Sequence, residues 1–398
     1  MTTMIVRFAE IALKGENRRD FVRQLATHIQ HALGGATVTP QRDQLLVEVE
    51  PSALEEAKAK LARVFGVAWF AEVVRAENDL QAIQAAAYEA AGHLLGEQTT
   101  FGVRARRSNK RLPFTSRDLN REVGAYLQQK TGAPVDLERP DVQVHISAKR
   151  DGAYVYAQKI PGPGGLPVGT NGRVLSLLSG GFDSIASSYL LAKRGARVDY
   201  LHFHVFPNQA GVMRTKMPDL WNRLSEYTLS RRVYLANYTP FQMGVLDLPM
   251  GLQRYELVTF RRLMVRVGEA LAQRHGYDAL ALGDSLGQVA SQTMENIVAV
   301  DGAVDIPILR PLIGADKVEI VNLVAAIGLE ETAAAAYKDC CSIIARHPAT
   351  RANLAKLHAI EERIDVERVV EEIVESIEVV APGEGQAEQP ARYIVDRL

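Results

Sequence analysis

The sequence predicts an α/β protein: two small mixed units followed by a larger domain with a doubly wound parallel sheet. Three observations carry this. From residue 174 onward, apolar strand-length runs alternate with helix-length periodic segments, the pattern of strands buried on both faces. Residues 1–50 and 65–160 each interleave strand-like runs with helices. Between the two patterns, Pro161-Gly162-Pro163-Gly164-Gly165 punctuates the chain and marks a domain boundary. A chain of 398 residues, 47% apolar and 23% charged, has the size and composition of two or three globular domains.

The elements follow in order. Residues 4–8 read as a strand, and 18–33 as a helix through Phe21, Leu25, Ile29 and Leu33, stopped by Gly34-Gly35. Residues 45–49 read as a strand, and 53–64 as a helix opened by Pro51. In the second unit, residues 67–74 and 99–104 are strand-like and 80–95 and 116–130 helical. Residues 142–147 and 153–159 form a hairpin around Asp151-Gly152. In the third, strands are expected at 174–178, 198–203, 232–236 and 279–282, and helices at 184–193, 255–275 and 317–327. This gives units at 1–55, 56–162 and 163–381, with a Gly/Glu/Gln-rich tail at 382–398 expected to be mobile.

Composition narrows the function classes. No apolar run reaches the ~20 residues needed to cross a bilayer. Met1-Thr2-Thr3-Met4-Ile5-Val6-Arg7 lacks a signal-peptide core, so a cytoplasmic location is expected. Cys340 and Cys341, adjacent, are the two cysteines. They exclude a disulfide framework, a zinc ribbon and a cluster held by three or four thiolates of one chain. A net charge of −1 gives no global nucleic-acid signal. Locally, however, residues 104–121 carry Arg104, Arg106, Arg107, Lys110, Arg111, Arg117 and Arg121 against one acid, Asp118, with Phe101 and Phe114 interleaved. That asymmetry suits a phosphate-binding surface; a solvated loop is the plainer reading.

The strongest motif is Ser179-Gly180-Gly181-Phe182-Asp183-Ser184, directly after the strand at 174–178 and opening a helix. Ligands of such sheets bind at the carboxyl ends of strands. Two glycines let backbone N–H groups approach an anion, and a helix N-terminus adds about half a positive charge. Ser179 and Ser184 add hydroxyls. No Gly-Lys-Ser/Thr is present, so this is not a Walker loop. Asp183 repels a bare phosphate, which points to Mg²⁺ bridging to pyrophosphate. The competing reading is a Gly-rich turn with Asp183 as a helix cap.

The hexapeptide resembles the loop of the pyrophosphate-loop ATP pyrophosphatases, which split ATP between the α and β phosphates and adenylate a carbonyl oxygen. Further segments are similar to tRNA 4-thiouridine synthetases: Arg7-Phe8-Ala9-Glu10-Ile11-Ala12-Leu13-Lys14-Gly15-Glu16-Asn17-Arg18, Gly165-Leu166-Pro167-Val168-Gly169-Thr170, Gly283-Asp284-Ser285-Leu286-Gly287-Gln288-Val289-Ala290-Ser291-Gln292-Thr293, and Arg310-Pro311-Leu312-Ile313-Gly314-Ala315-Asp316-Lys317-Val318-Glu319-Ile320. The resemblance runs from residue 1 into the segment near residue 348. It implies a ferredoxin-like N-terminal unit, a THUMP RNA-binding domain and a C-terminal pyrophosphate-loop domain.

By position, the resemblance implies that Leu177 and Leu178 line the adenine side of an ATP site. Ser179, Gly180, Gly181 and Ser184 would cradle the phosphates, and His202 and Phe203 would flank the nucleotide. Arg261, where relatives often carry Lys, Gly283 and Gln292 would contact it, and Asp183 and Lys317 would be essential. Plainer readings stay open: Leu177 and Leu178 as core, His202 as a satisfied strand histidine, Arg261 on a solvated helix face. Lys317 reads equally as an exposed helix start, and Gln288 and Gln292 as paired with backbone.

Cys341 matches the family's sulfur-handling cysteine, which would carry a persulfide or attack one; nearby Arg346 would favour its thiolate. A buried, inert cysteine is the alternative. With no cysteine after Cys341, the chain resembles members lacking a rhodanese domain, in which a separate cysteine desulfurase supplies the persulfide. Cys340 is then a candidate for resolving the disulfide. The resemblance further implies tRNA as substrate, with Arg104, Arg106, Arg107, Lys110 and Arg111 on the RNA side, extended by Arg7, Lys14, Arg18, Arg19 and Arg23. It also implies a homodimer. Sulfur supply for thiamine thiazole synthesis is neither supported nor excluded by these residues. The expected activity is ATP-dependent transfer of sulfur to a tRNA uridine, giving 4-thiouridine. An ammonia-using ligase that adenylates a carbonyl, and a non-catalytic RNA-binding protein, are the rivals.

Overall fold

The computed structural model describes residues 1–8, 10–337, 340, 344 and 348–383. The tail expected at 382–398 lies, from residue 384 on, outside the described residues. Packing separates the chain into two compact units, Met1–Pro167 and Val168–Leu398.

In the first unit one mixed sheet is built from β1 (Thr2–Arg7), β2 (Thr37–Pro40), β3 (Leu45–Val49), β4 (Trp69–Ala76), β5 (Phe101–Arg107), β6 (Val142–Lys149), β7 (Gly152–Tyr156) and β8 (Ile160–Pro161). The order is β2-β3-β1-β4-β7-β6-β5, with β8 added along β4. The two segments expected as separate units share this sheet because β4 is long enough to serve both. Trp69 through Val73 pair with β1, and Val74 through Ala76 with β7. The expected hairpin forms with Lys149 opposite Gly152. Strand alternation sends Met4 and Val6 into a core with α1 (Arg18–Ala32) and α2 (Leu54–Leu61). It sends Ile5 to the opposite face, against Leu46, Ala71, Val73, Tyr154 and Tyr156. Helices α3 (Leu80–Ala91) and α4 (Ser116–Thr131) cover the β5–β7 half. A capping box between Thr115 and Asp118 opens α4, and Gly132 at φ +71° closes it.

The second unit carries a six-stranded sheet in the order β13-β12-β9-β10-β11-β14. Strands β9 (Arg173–Leu177), β10 (Arg197–His204), β11 (Val233–Asn237), β12 (Ala279–Ala281) and β13 (Ile308–Leu309) are parallel, and β14 (Glu378–Val380) is antiparallel at the edge. The helices are α5 (Phe182–Lys193), α6 (Gln209–Val212), α7 (Met217–Thr228), α8 (Thr239–Val245), α9 (Met250–Gln253), α10 (Glu256–His275), α11 (Met294–Asp301), α12 (Lys317–Ala326), α13 (Glu330–Ala334), α14 (Leu354–Ile364) and α15 (Val366–Glu375). Leu175 and Leu177 of β9 face the cluster formed by α8, α10, α14 and α15. Between them Ser176 faces the other way, its hydroxyl 2.8 Å from that of Ser188 on α5. The sheet is therefore doubly wound. Its strand order reverses between β9 and β12, so the crevice above their carboxyl ends is where such a fold binds ligands. Among the described residues no helix is long and apolar enough to cross a membrane.

Candidate active site

The loop between β9 and α5 sits at this switch point. Gly180 adopts φ +87°, and a Cβ there would meet the Met217 sulfur at 2.7 Å, so the position suits glycine alone. The Ser184 hydroxyl closes the turn, accepting from the Ser179 N–H at 3.2 Å and donating to the Gly181 carbonyl at 3.1 Å. Gly181 is the N-cap of α5. Among the described residues no side chain caps the first N–H groups of α5, and Asp183 does not cap them.

Asp183 instead reaches across the crevice. Its Oδ1 accepts from the Lys317 ammonium at 2.7 Å and its Oδ2 from the Gln288 amide at 2.9 Å. Lys317 is the first residue of α12, which Asp316 and Glu319 open with a capping box. It is a helix start, as the plainer reading had it, yet its side chain turns back to the loop and lies over the Phe182 ring. Gly283, at the end of β12, presses on the loop: a Cβ there would stand 2.6 Å from the Asp183 carbonyl carbon.

Beside the loop is a cavity of about 210 Å³. Leu177, Leu178, Leu201, Phe203 and Phe260 form its apolar wall, and Ser179, Asp183, Ser184, Arg261, Gly283 and Gln292 its polar one. Phe203 meets Phe260 edge to face. Cys340, buried, also lines the cavity. Arg261 is 8% exposed, so the solvated-face reading does not apply; it donates to the Ser291 carbonyl and the Asp284 carboxylate.

Four expected site residues do not line the cavity, one of them Lys317, which meets Asp183 at the loop. Gly180 and Gly181 shape the loop without lining the cavity, and His202 sits behind the wall. Fully buried, His202 donates from Nδ1 to the Leu178 carbonyl at 2.7 Å. Its Nε2 accepts from the Tyr337 hydroxyl at 2.7 Å. Burial lowers its pKa to about 4, so it is neutral at pH 7. Cys341 and Arg346 lie outside the described residues. Sequence reasoning missed Asp284 and Cys340 as wall residues, and did not assign Gln288 to Asp183.

On the first unit, Arg104 and Arg106 point outward from β5, and Lys110 and Arg111 are exposed beyond it. Arg107 is different: its guanidinium donates to the Leu112 and Phe114 carbonyls and ties down the loop. Phe101 and Phe114 are core residues under α4, not stacking surfaces. Unforeseen neighbours extend the patch. Lys159 stands over the Trp69 ring, and His145 stacks on Tyr156. The His145 pKa falls to about 4 through burial and the nearby Lys159, Arg104 and Arg106.

Residues 169–366 match the family model described as "Thiamine biosynthesis protein (ThiI)", residues 3–71 the ThiI ferredoxin-like domain and residues 77–158 the THUMP domain. The chain is 38% identical to a probable tRNA sulfurtransferase of Moorella thermoacetica, over 95% of this chain and 97% of the relative. It is 39% identical to one of Thermus thermophilus, over 98% and 97%. Among solved structures, a 4-thiouridine synthetase–RNA complex with bound ATP superposes with a TM-score of 0.87 at 30% identity, over 96% of this chain and 100% of that one. Relatives this similar over almost the entire length establish that the chain belongs to the ThiI family of tRNA sulfurtransferases.

Proposed function

We propose that the protein is an ATP-dependent tRNA sulfurtransferase that makes 4-thiouridine. The observation that carries this reading is the Asp183–Lys317 pair at the helix-opening glycine loop, beside a cavity with one apolar and one polar wall. The ATP and RNA bound to the similar 4-thiouridine synthetase support it.

Each part then has a task. Leu177, Leu178 and Phe203 bury the adenine, and His202 braces that wall from behind. The Ser179–Ser184 loop receives the phosphates at the positive end of α5. Lys317 and Arg261 offset the charge that develops as pyrophosphate leaves. The uridine O4 attacks the α-phosphate, an O4–phosphorus bond forms as the bond to pyrophosphate breaks, and C4 now carries AMP as its leaving group. The terminal sulfur of a Cys341 persulfide attacks C4 and AMP departs, leaving a disulfide between Cys341 and C4. A second thiol, for which Cys340 is the candidate, then attacks the Cys341 sulfur. This releases the C4 thiol of 4-thiouridine and leaves a protein disulfide that an external thiol reduces. Mg²⁺, when bound, neutralises phosphate charge. The donor set fits an ion held mainly by phosphates: Asp183 offers one carboxylate, and no group of three or more His, Cys, Asp or Glu residues among those described could hold a metal.

Arg104, Arg106, Lys110 and Arg111 contact tRNA phosphates, with Arg107 supporting them through the loop it ties. A cysteine desulfurase loads Cys341, the enzyme works as a homodimer, and the compartment is the cytoplasm. The division 1–55, 56–162 and 163–381 assigns RNA binding to the middle segment and chemistry to the last. The test incubates the full chain with unmodified tRNA, ATP and a persulfide-loaded desulfurase and reads thiouridine absorbance. ATP-dependent absorbance is expected. Its absence, with an ammonia-dependent product or with no ATP turnover, favours the rival ligase or the RNA-binding protein.

A further inference from the structure

The buried charges beside the cavity centre on one carboxylate to which no role has been given. Asp284 follows Gly283 and is 4% exposed. Its Oδ1 accepts from Arg261 Nη2 at 2.6 Å, with Gln292 Nε2 3.5 Å away, and its Oδ2 accepts from Arg310 Nε at 3.0 Å. Arg310 uses its remaining nitrogens on Asp301, while the other arm of Arg261 donates to the Ser291 carbonyl. One buried carboxylate therefore separates the buried Arg261 guanidinium from that of the partly buried Arg310 and joins α10, the segment after β12 and the segment after β13. Arg261, Asp284 and Gln292 all line the cavity. The Oε1 of Gln292 is buried there with no hydrogen-bond partner among the described residues. A buried acceptor left without a donor is unfavourable, which suits a site completed by a ligand N–H.

We propose that Asp284 is a positioning residue for ATP binding: it fixes the Arg261 guanidinium on the cavity wall and touches neither the nucleotide nor the reacting atoms. This rests on the ATP reading above. Arginine is long and has many rotamers, so an exposed Arg261 would enter the cavity in many orientations. Two anchors, the Asp284 carboxylate and the Ser291 carbonyl, leave it one. Arg310 keeps the carboxylate turned toward Arg261 by occupying its second oxygen. Asparagine has nearly the same shape, but it replaces one acceptor with an amide donor facing an arginine and removes the charge between two cations.

The test is titration calorimetry of ATP into the full chain, run as a double-mutant cycle with thermal melting alongside. Asp284→Asn is expected to weaken ATP binding about tenfold, and to add less than about twofold when Arg261 is already alanine. ATP affinity equal to wild type, even with a lowered melting temperature, overturns the proposal. So do effects of Asp284→Asn and Arg261→Ala that add in full. Should Asp284→Asn not fold, Arg310→Gln frees only the second oxygen. Its expected weakening of about threefold must likewise vanish in the Arg261→Ala background, and full additivity overturns the proposal. A wild-type chain that binds no ATP would instead remove the functional reading beneath it.

Discussion

The Lys317 ammonium lies 2.7 Å from Oδ1 of Asp183, a contact between side chains 134 residues apart that joins the starts of α5 and α12. Half of the Lys317 side chain is exposed. An ion pair this open contributes no more than about 1 kcal/mol to stability. Its place in the crevice, at the positive end of α5, is the ground on which we propose that it serves the phosphates more than the fold.

Lys317→Ala is therefore expected to leave the melting temperature almost unchanged while lowering ATP-dependent thiolation about a hundredfold. Melting curves and thiouridine absorbance on the same preparation separate the two effects. A large loss of stability with activity retained would assign the pair a structural role.

Gly283→Ala tests the contact between β12 and the loop. The new methyl would enter within 2.6 Å of the Asp183 carbonyl carbon. The backbone must shift, at a cost of about 1–3 kcal/mol. Reduced stability together with weaker ATP binding is expected, read by denaturant unfolding and ATP titration.

The histidines set a pH dependence. His202 and His145 both have pKa values lowered to about 4, from an ordinary 6.5. Between those values the unfolded chain binds more protons than the folded one, so stability rises with pH. The contribution is present above pH 6.5 and is lost as pH falls toward 4. His202→Gln should make the slope of stability against pH shallower near pH 5 by about one proton, measured by urea unfolding at several pH values.

The basic patch divides by geometry. Arg104→Ala with Arg106→Ala should weaken tRNA binding and lower the salt dependence of its affinity by about two charges, with little loss of stability. Arg107→Ala removes two hydrogen bonds to loop carbonyls and should lower stability as well. Filter binding across a salt series and thermal melts distinguish them.

Local signals explain what was legible in the sequence. The apolar run of β9, the two glycines and the helix after them declared the loop, and the parallel sheet followed from strand and helix alternation. The two-residue β13 and three-residue β14 have too few positions to show a period. Helix α7 carries Leu220, Trp221 and Leu224 on its buried face, but Pro218 near its start reads as a breaker until it is seen in the first turn. Long-range pairings were illegible: Gln288 meets Asp183 across 105 residues. Asp284 stood in view inside a motif, but its partners are 23 and 26 residues away, and nothing at those distances announces an ion pair. Likewise Lys159, His145 and Trp69 come to the basic patch from separate places in the chain. Arg107, indistinguishable in sequence from Arg106, turned inward because the loop carbonyls of Leu112 and Phe114 needed a donor.

The most direct measurement is pyrophosphate release from ATP in the presence of unmodified tRNA, comparing wild type with Asp183→Ala. Loss of the carboxylate that engages Lys317 and Gln288 should lower the rate by about a hundredfold or more. Release at the wild-type rate would contradict the assignment of this loop as the site where ATP is split.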